Sequence, residues 1–269
     1  MSETDKIFTG SIPALYDRYL GPLLFEPYAA DIAGRLSNLT EGRLLETAAG
    51  TGIVTRALAR ALSDQVQIVA TDLNQPMIDH AATQLSSSRV RWQQADALSL
   101  PFEDACFDGV VCQFGIMFFP DKIKAYREVL RVLKPGGRFV FNVWDRIEEN
   151  EFAHLVTGAV KALFPQDPPM FLARTPYGHP NPEQIRDELQ KAGFTGVKSE
   201  TIVRRSRAGS PRDPAIGYCQ GTPLRGEIEA RGASCLREAT DAATESIAAQ
   251  FGVGAVDGKI QAHVIAACR

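Results

Sequence analysis

Between about residue 42 and residue 145 the chain changes its apolar period at regular intervals, and no other feature restricts its fold as strongly. Residues 42–47, GRLLET, form a short apolar run that ends at a turn. Residues 53–62 place Ile53, Val54, Ala57, Leu58, Ala61 and Leu62 at helical spacing. Residues 66–72, VQIVATD, are compact and β-rich, and 75–85 return to a helical pattern with Pro76 suited to its first turn. Residues 89–96 alternate as a strand does, and 107–114, FDGVVCQF, read as a buried strand. A helix follows over 121–133, with Asp121 as N-cap and an apolar face of Ile123, Tyr126, Val129, Leu130 and Leu133; Pro135-Gly136-Gly137 stops it before a strand at 138–144. Strict alternation of this kind predicts βαβ units: a mostly parallel sheet, right-handed crossovers and helices on both faces. Ligands of such sheets bind at the carboxyl ends of the strands, beside the point where the strand order reverses.

The remainder is less regular. Residues 11–36 read as helical and aromatic, 151–164 as a helix, and 165–182 as a proline-rich loop or lid. Residues 183–194 are helical and end at Gly193, 196–206 alternate as a strand, and an Ala-rich helical stretch covers about 225–250, weakened by Gly226 and Gly232. Residues 259–269 form a last strand. No repeat and no flexible linker is visible, which predicts one domain over 1–269. Within it we expect a helical lid at 1–36, a ligand-binding core at 37–145, and covering insertions at 146–180 and 207–258.

Charge and cysteine content narrow the function. The net charge is −3, and the densest basic stretch is only Arg204, Arg205 and Arg207. A nucleic-acid partner, which demands a basic face, is therefore not expected. The five cysteines, Cys106, Cys112, Cys219, Cys235 and Cys268, form no C-x-x-C pair, so neither a metal site nor a disulfide framework is expected. The opening MSETDKIFTG is polar and mixed in charge, and no apolar run approaches the ~20 residues that span a bilayer. A cytoplasmic protein without a membrane partner is the expectation.

The informative residues stand just after the strands. The first strand runs into ETAAGTG, Glu46 to Gly52, and a helix follows at once. Small residues there let a ligand approach backbone, and the helix start offers unpaired N–H groups. Asp72 closes the second strand, 20 positions beyond Gly52, where its two oxygens suit a ribose diol; an N-cap role for the helix near Gln75 is the alternative. Asp96, beside Ala97 after the third strand, suits an exocyclic amine such as that of adenine.

With LLETAAGTG, VATDLNQPM, QQADALSLPF, FDGVVCQFGIMFFPD and LRVLKPGGRFVFNVW in unbroken order over about residues 40–145, the sequence resembles the class I S-adenosylmethionine-dependent methyltransferases (methyltransferase type 11). It is most similar to the branch holding the quinone-biosynthesis C-methyltransferases. The resemblance implies an α/β, Rossmann-like fold whose seven-stranded sheet has the order 3-2-1-4-5-7-6, with the last strand antiparallel and supplied, like its neighbour, by 196–206 and 259–269. It implies S-adenosyl-L-methionine as cofactor and S-adenosyl-L-homocysteine as product. By position, Glu46, Ala48, Gly50, Thr51 and Gly52 would meet the methionine part, Asp72 the ribose, Leu73 and Met77 the adenine face, and Asp96 and Ala97 the adenine edge. Gln113 and Phe114 would flank the methionine part and the methyl sulfonium. Ala48 stands where the family often has glycine, which implies a slightly shifted turn. A nicotinamide cofactor fits less well, because the turn reads A-x-G-x-G and then Ile53 rather than G-x-G-x-x-G.

Methyl transfer is an in-line displacement in which holding the partners together supplies much of the acceleration. Tyr16, Tyr19 and Tyr28 are lid candidates, with Tyr16 also placed against the cofactor cation. His179, in YGHPNP, is the candidate base; His154 shares its covering segment. Phe152, Phe164, Phe171, Tyr177 and Tyr218 in the covering regions suit an apolar or aromatic small-molecule acceptor, and no N-P-P-Y-type run follows the fourth strand. The other open readings are a cofactor-binding module without methyl transfer and a protein or nucleic-acid methylator. A monomer or a homodimer is expected.

Overall fold

The computed structural model describes residue 5 and residues 8–269. The other residues of the expected 1–36 segment, 1–4, 6 and 7, lie outside the described residues, as does most of MSETDK.

The chain begins with α1 (Ile12–Leu15), π-helical turns over Tyr16–Phe25, and α2 (Glu26–Arg35). Pro22 lies inside the π-helical stretch. It donates no backbone hydrogen bond and crowds the carbonyl four residues back, which accords with the departure from α-helical register. Next come β1 (Gly42–Thr47), α3 (Ile53–Ala61), β2 (Val66–Asp72), α4 (Gln75–Gln84), β3 (Val90–Gln94), β4 (Phe107–Gln113), α5 (Lys122–Val132) and β5 (Leu133–Trp144). α6 (Glu151–Leu163), α7 (Phe171–Arg174), α8 (Pro182–Ala192), β6 (Thr195–Ala208), α9 (Arg212–Gln220), α10 (Leu224–Glu229), α11 (Cys235–Phe251) and β7 (Val256–Cys268) complete the chain.

The strand order is β3-β2-β1-β4-β5-β7-β6, as the family resemblance implied. The pairs β1–β2, β1–β4, β2–β3 and β4–β5 are parallel. β7 runs against β5: Arg269 N donates to Gly137 O at one end and Asp145 N to Gln261 O at the other. The order reverses between β1 and β4, so the turns leaving these two strands flank the ligand crevice of the topology.

The chain divides into two compact units. The sheet unit comprises Tyr28–Val143, Pro180–Ile202 and Ala262–Arg269; the helical unit comprises Met1–Pro27, Trp144–His179 and Val203–Gln261. In the sheet unit, Leu44, Leu45, Val110, Val111, Val140 and Phe141 are fully buried, as strands covered on both faces require. Phe139 and Phe141, two apart on one face of β5, stack at 4.6 Å and meet Tyr126 of α5. Asp121 caps α5 by accepting from Lys124 N at 2.9 Å.

Three expectations need correction. β5 starts at Leu133, so Pro135-Gly136-Gly137 lies within the strand. Gly136 there has φ +77°, and the register shifts between Phe107 and Gly109 of the partner strand. The helical stretch expected over 225–250 is two helices, α10 and α11, separated by a turn where Gly232 has φ +152°. Gly232 breaks it rather than weakens it, whereas Gly226 is accommodated inside α10. α9 was not anticipated, because glycine and proline flank it at Gly209, Pro211 and Gly221 and hide its period.

Candidate functional site

The turn between β1 and α3 is built from left-handed residues. Ala48, Gly50 and Gly52 have φ of +52°, +55° and +78°. Gly52 precedes α3, and a Cβ there would lie 2.6 Å from the Trp92 ring, so close packing requires the glycine. Gly50 differs: a Cβ there meets no atom within 4 Å, so the space before the turn is open. Ala48 adopts the left-handed conformation despite its methyl, at a cost of about 1 kcal/mol. Thr51 is buried, and its carbonyl accepts from the Arg56 guanidinium at 2.8 Å.

Asp72 ends β2 and is 7% exposed. Its Oδ2 accepts from Gly50 N at 2.9 Å and its Oδ1 from Asn74 N at 2.8 Å. Burial raises its pKa, and these amides work against the rise. Asn74, not Asp72, occupies the N-cap position of α4, and its side chain makes no capping bond there. Leu73 is exposed at the end of a buried strand, and Met77 is buried on α4. Ala95 N donates to Asp72 O and joins the ends of β2 and β3. Asp96 follows, exposed, with Oδ1 accepting from Leu98 N at 2.9 Å; Ala97 beside it is buried.

Glu46, at the end of β1, is 1% exposed, and its Oε2 accepts from Thr55 Oγ1 at 2.6 Å. Burial pushes its carboxyl up to about 8, against the Thr55 hydrogen bond, and the like charge of Asp72 adds to the rise.

Gln113 and Phe114 leave β4. Phe114 is buried in a left-handed conformation, φ +50°, with its ring edge-on to Tyr28 at 5.3 Å. A Cβ on the next residue, Gly115, would lie 2.5 Å from Ala48 Cβ. The turns after β1 and β4 therefore touch, and Gly115 is the residue that lets them. Tyr28, a lid candidate from sequence, is fully buried in the sheet unit and donates to Ile202 O at 3.0 Å.

Comparison with known proteins decides the family. Residues 45–141 match the family model described as "Methyltransferase domain". The ubiquinone/menaquinone biosynthesis C-methyltransferase of Idiomarina loihiensis is 31% identical over 196 residues, covering 67% of this chain and 76% of the relative. The chain belongs to the S-adenosylmethionine-dependent methyltransferases. The same-named protein of Pseudomonas aeruginosa is 32% identical over 176 residues, covering 60% of this methyltransferase and 69% of the relative. Solved structures share the fold. The Haemonchus contortus phosphoethanolamine N-methyltransferase 2, crystallised with S-adenosyl-L-methionine, superimposes with TM-score 0.60 at 19% identity, over 96% of this chain and 56% of that one. A SAM-dependent methyltransferase from Aquifex aeolicus gives TM-score 0.52 at 17% identity, over 71% of this chain and 90% of that one. The protein is an enzyme, and its cofactor is S-adenosyl-L-methionine.

Every expected cofactor residue of the methyltransferase except Tyr16 lies in the sheet unit, at the ends of β1, β2 and β4, on the turns that follow β1, β2, β3 and β4, or at the start of α4. Tyr16 and His179 belong to the helical unit. Tyr16 stacks on Phe25 at 4.7 Å and meets Phe8 edge-on; Tyr19 carries the Arg18 guanidinium over its ring. Trp144 packs against Phe25 and Tyr177, and Tyr177 shares a 3.4 Å hydroxyl contact with buried Tyr218. His179 is buried two residues beyond Tyr177. A cavity of about 770 Å³ in the helical unit is lined in part by Ser11, Met170, Arg174, Arg225, Glu227 and Arg231, and by none of the expected site residues. Its arginines are paired: Arg174 with Asp5 and Glu227, Arg225 with Glu229, and Arg231 with Asp167. Among the described residues no helix is long and apolar enough to cross a membrane, and no cluster of three or more His, Cys, Asp or Glu is placed to hold a metal.

Residues not anticipated from sequence are Thr55, Gly115 and Asn142. Asn142 was visible as the one amide in the apolar run RFVFNVW.

Proposed function

We propose that this methyltransferase methylates a small, apolar or aromatic acceptor in the cytoplasm, as a monomer or homodimer, with an electron-rich aromatic ring as the preferred class. The carrying observation is the Gly50–Asp72 pairing. A buried carboxylate and a backbone amide converge on a turn whose glycine faces open space. That arrangement fits the cofactor, because a zwitterionic, sugar-bearing ligand needs close backbone approach at one end and hydroxyl acceptors at the other. Glu46, Ala48, Gly50, Thr51 and Gly52 are assigned to the methionine part and Asp72 to the ribose. Leu73, Met77, Asp96 and Ala97 are assigned to the adenine, and Gln113 and Phe114 to the region of the methyl.

When bound, the cofactor supplies an electrophilic methyl whose bond to sulfur breaks as an electron pair of the acceptor takes it in line. The residues bind, orient and exclude water. An aromatic carbon or hydroxyl acceptor also loses a proton, and His179 is the group we assign to take it. The aromatic acceptor class is supported by the ring series Tyr16, Phe25, Trp144, Tyr177 and Tyr218, and by the likeness to the 31%-identical relative, a C-methyltransferase of ubiquinone/menaquinone biosynthesis.

The test is turnover. Purified protein is incubated with methyl-labelled cofactor and a panel of hydroxylated aromatic molecules that includes quinone precursors. Release of S-adenosyl-L-homocysteine with label on a ring carbon is expected. Cofactor binding without turnover on any aromatic acceptor, while an amine or a protein is methylated, overturns the acceptor class. Binding with no turnover on anything indicates a binding module.

A further inference from the structure

Asn142 is fully buried near the carboxyl end of β5, between Phe141 and Val143, in a run with no other polar side chain from Phe139 to Trp144. An amide so placed costs stability unless its hydrogen bonds are made. Both ends of this amide go to one place. Its Oδ1 accepts from Phe114 N at 2.9 Å, in addition to the backbone bond from Phe114 N to Asn142 O at 3.2 Å. Its Nδ2 donates to Gln113 Oε1 at 3.5 Å. Gln113 and Asn142 are register partners across β4 and β5, so the side chain needs no reach to make these contacts.

Phe114 needs such a hold. It is a non-glycine residue at φ +50°, a conformation that persists only where the surroundings enforce it. Its amide carries two acceptors from Asn142, its ring is set against Tyr28, and Gly115 beyond it is pressed onto Ala48. The Nδ2 contact also sets the sense of the Gln113 amide: Oε1 turns toward Asn142, so Nε2, a donor, lies on the other side of the amide.

We propose that Asn142 is the positioning residue for methyl transfer. It holds the Gln113–Phe114 turn in its strained conformation and orients Gln113 as a donor toward the methionine end of the cofactor. This rests on the assignment of Gln113 and Phe114 to that end, and the closing experiment separates the two.

The experiment is calorimetric titration with S-adenosyl-L-methionine and S-adenosyl-L-homocysteine of wild type, Q113A, N142A, the double variant and N142D, with thermal melts as a check on folding. Removing a buried amide that holds a ligand-binding group is expected to weaken affinity by roughly tenfold in N142A. In the N142A background Q113A should cost almost nothing more, because its orientation is already lost. N142D keeps the acceptor for Phe114 N and loses the donor to Gln113, so it should reproduce the Gln113-dependent loss and not the remainder. It also serves where N142A does not fold. D96A combined with N142A or N142D should be additive, which a general loosening of the site would not produce. Additive losses for Q113A with the folded Asn142 variant, or wild-type affinity in that variant, overturn the proposal. Wild-type protein that binds neither ligand overturns the cofactor assignment instead. Binding that is tight in wild type and unaffected by Q113A alone contradicts the role of Gln113.

Discussion

The candidate site in the sheet unit and the elements of the helical unit hold their polar groups by different means. At the turns after β1, β2 and β4 backbone amides are the main donors: Asp72 is gripped by the amides of Gly50 and Asn74, and the Phe114 amide is held by both oxygens of Asn142; farther from the site the sheet unit also uses long side chains, as in Arg131 with Glu128 and Asp104. In the helical unit long side chains do it. Arg174 reaches Asp5, 169 positions away, and Glu227, whose other oxygen accepts from Met170 N and Phe171 N; Arg212 pairs with Asp241. Backbone-held groups lose little entropy when a ligand arrives and tolerate change at distant side chains. Side-chain pairs are easily exchanged. A common cofactor calls for the first construction, and a varying acceptor is compatible with the second.

This contrast can be broken at several points. The largest effect is expected from Gly50→Val, which puts a β-branched residue at φ +55° and fills the open space before the turn. Cofactor binding should fall below calorimetric detection while the thermal melt stays cooperative. A folded variant that binds normally would remove the glycine from the site. Asp72→Ala should weaken binding by about 1–3 kcal/mol, or ~5–150-fold, because buried hydroxyls lose their acceptor. Unchanged affinity would sever the carboxylate from the ribose.

Arg174→Met tests the other construction. It leaves Asp5 buried without its main cation, and should cost about 1–3 kcal/mol of stability, discounted because the guanidinium is 34% exposed. Cofactor affinity at a temperature where the variant is folded should not change. A loss of affinity as large as that of Asp72→Ala would mean that the two constructions are not separable in function.

Smaller and sharper is the pH dependence. Glu46 sits at about 8 when folded against an ordinary value of 4.5, because burial disfavours its charge. An acid raised in this way contributes stability that is fully present below its unfolded value and is lost as pH rises toward 8. The melting temperature should therefore decline between about pH 5 and 8 through this group, and Asp72, raised in the same direction, steepens the decline. Glu46→Gln, neutral at every pH, should flatten the decline. A melt of that variant with the wild-type slope would place the proton elsewhere.

The same contrast explains what could be read from sequence. β1 and β2 have the bounds their periodicity predicts, and β3 and β4 fall within two residues, because each is a short apolar run closed by a turn signal; β5 starts five residues early, at Leu133, through the expected stop. The acids and small residues of the site follow those runs directly. Asn142 was harder to see because its meaning lies in a partner on the next strand, not in its own spacing. The helical unit resisted for a related reason. Its register depends on pairs such as Arg174–Asp5 and Phe152–Phe251 that no local window contains. Pro22, Gly221 and Gly232 also interrupt the periods a reader would follow.

The central claim is that the cradle after β1 and β2 receives the nucleoside of the cofactor, and its most direct test is a structure of the protein with S-adenosyl-L-homocysteine. Ribose hydroxyls are expected on the Asp72 carboxylate, and the amino-acid end of the ligand against the turn of Gly50 and Gly52. Density for the ligand anywhere else, with no ligand hydroxyl on Asp72, would contradict the claim.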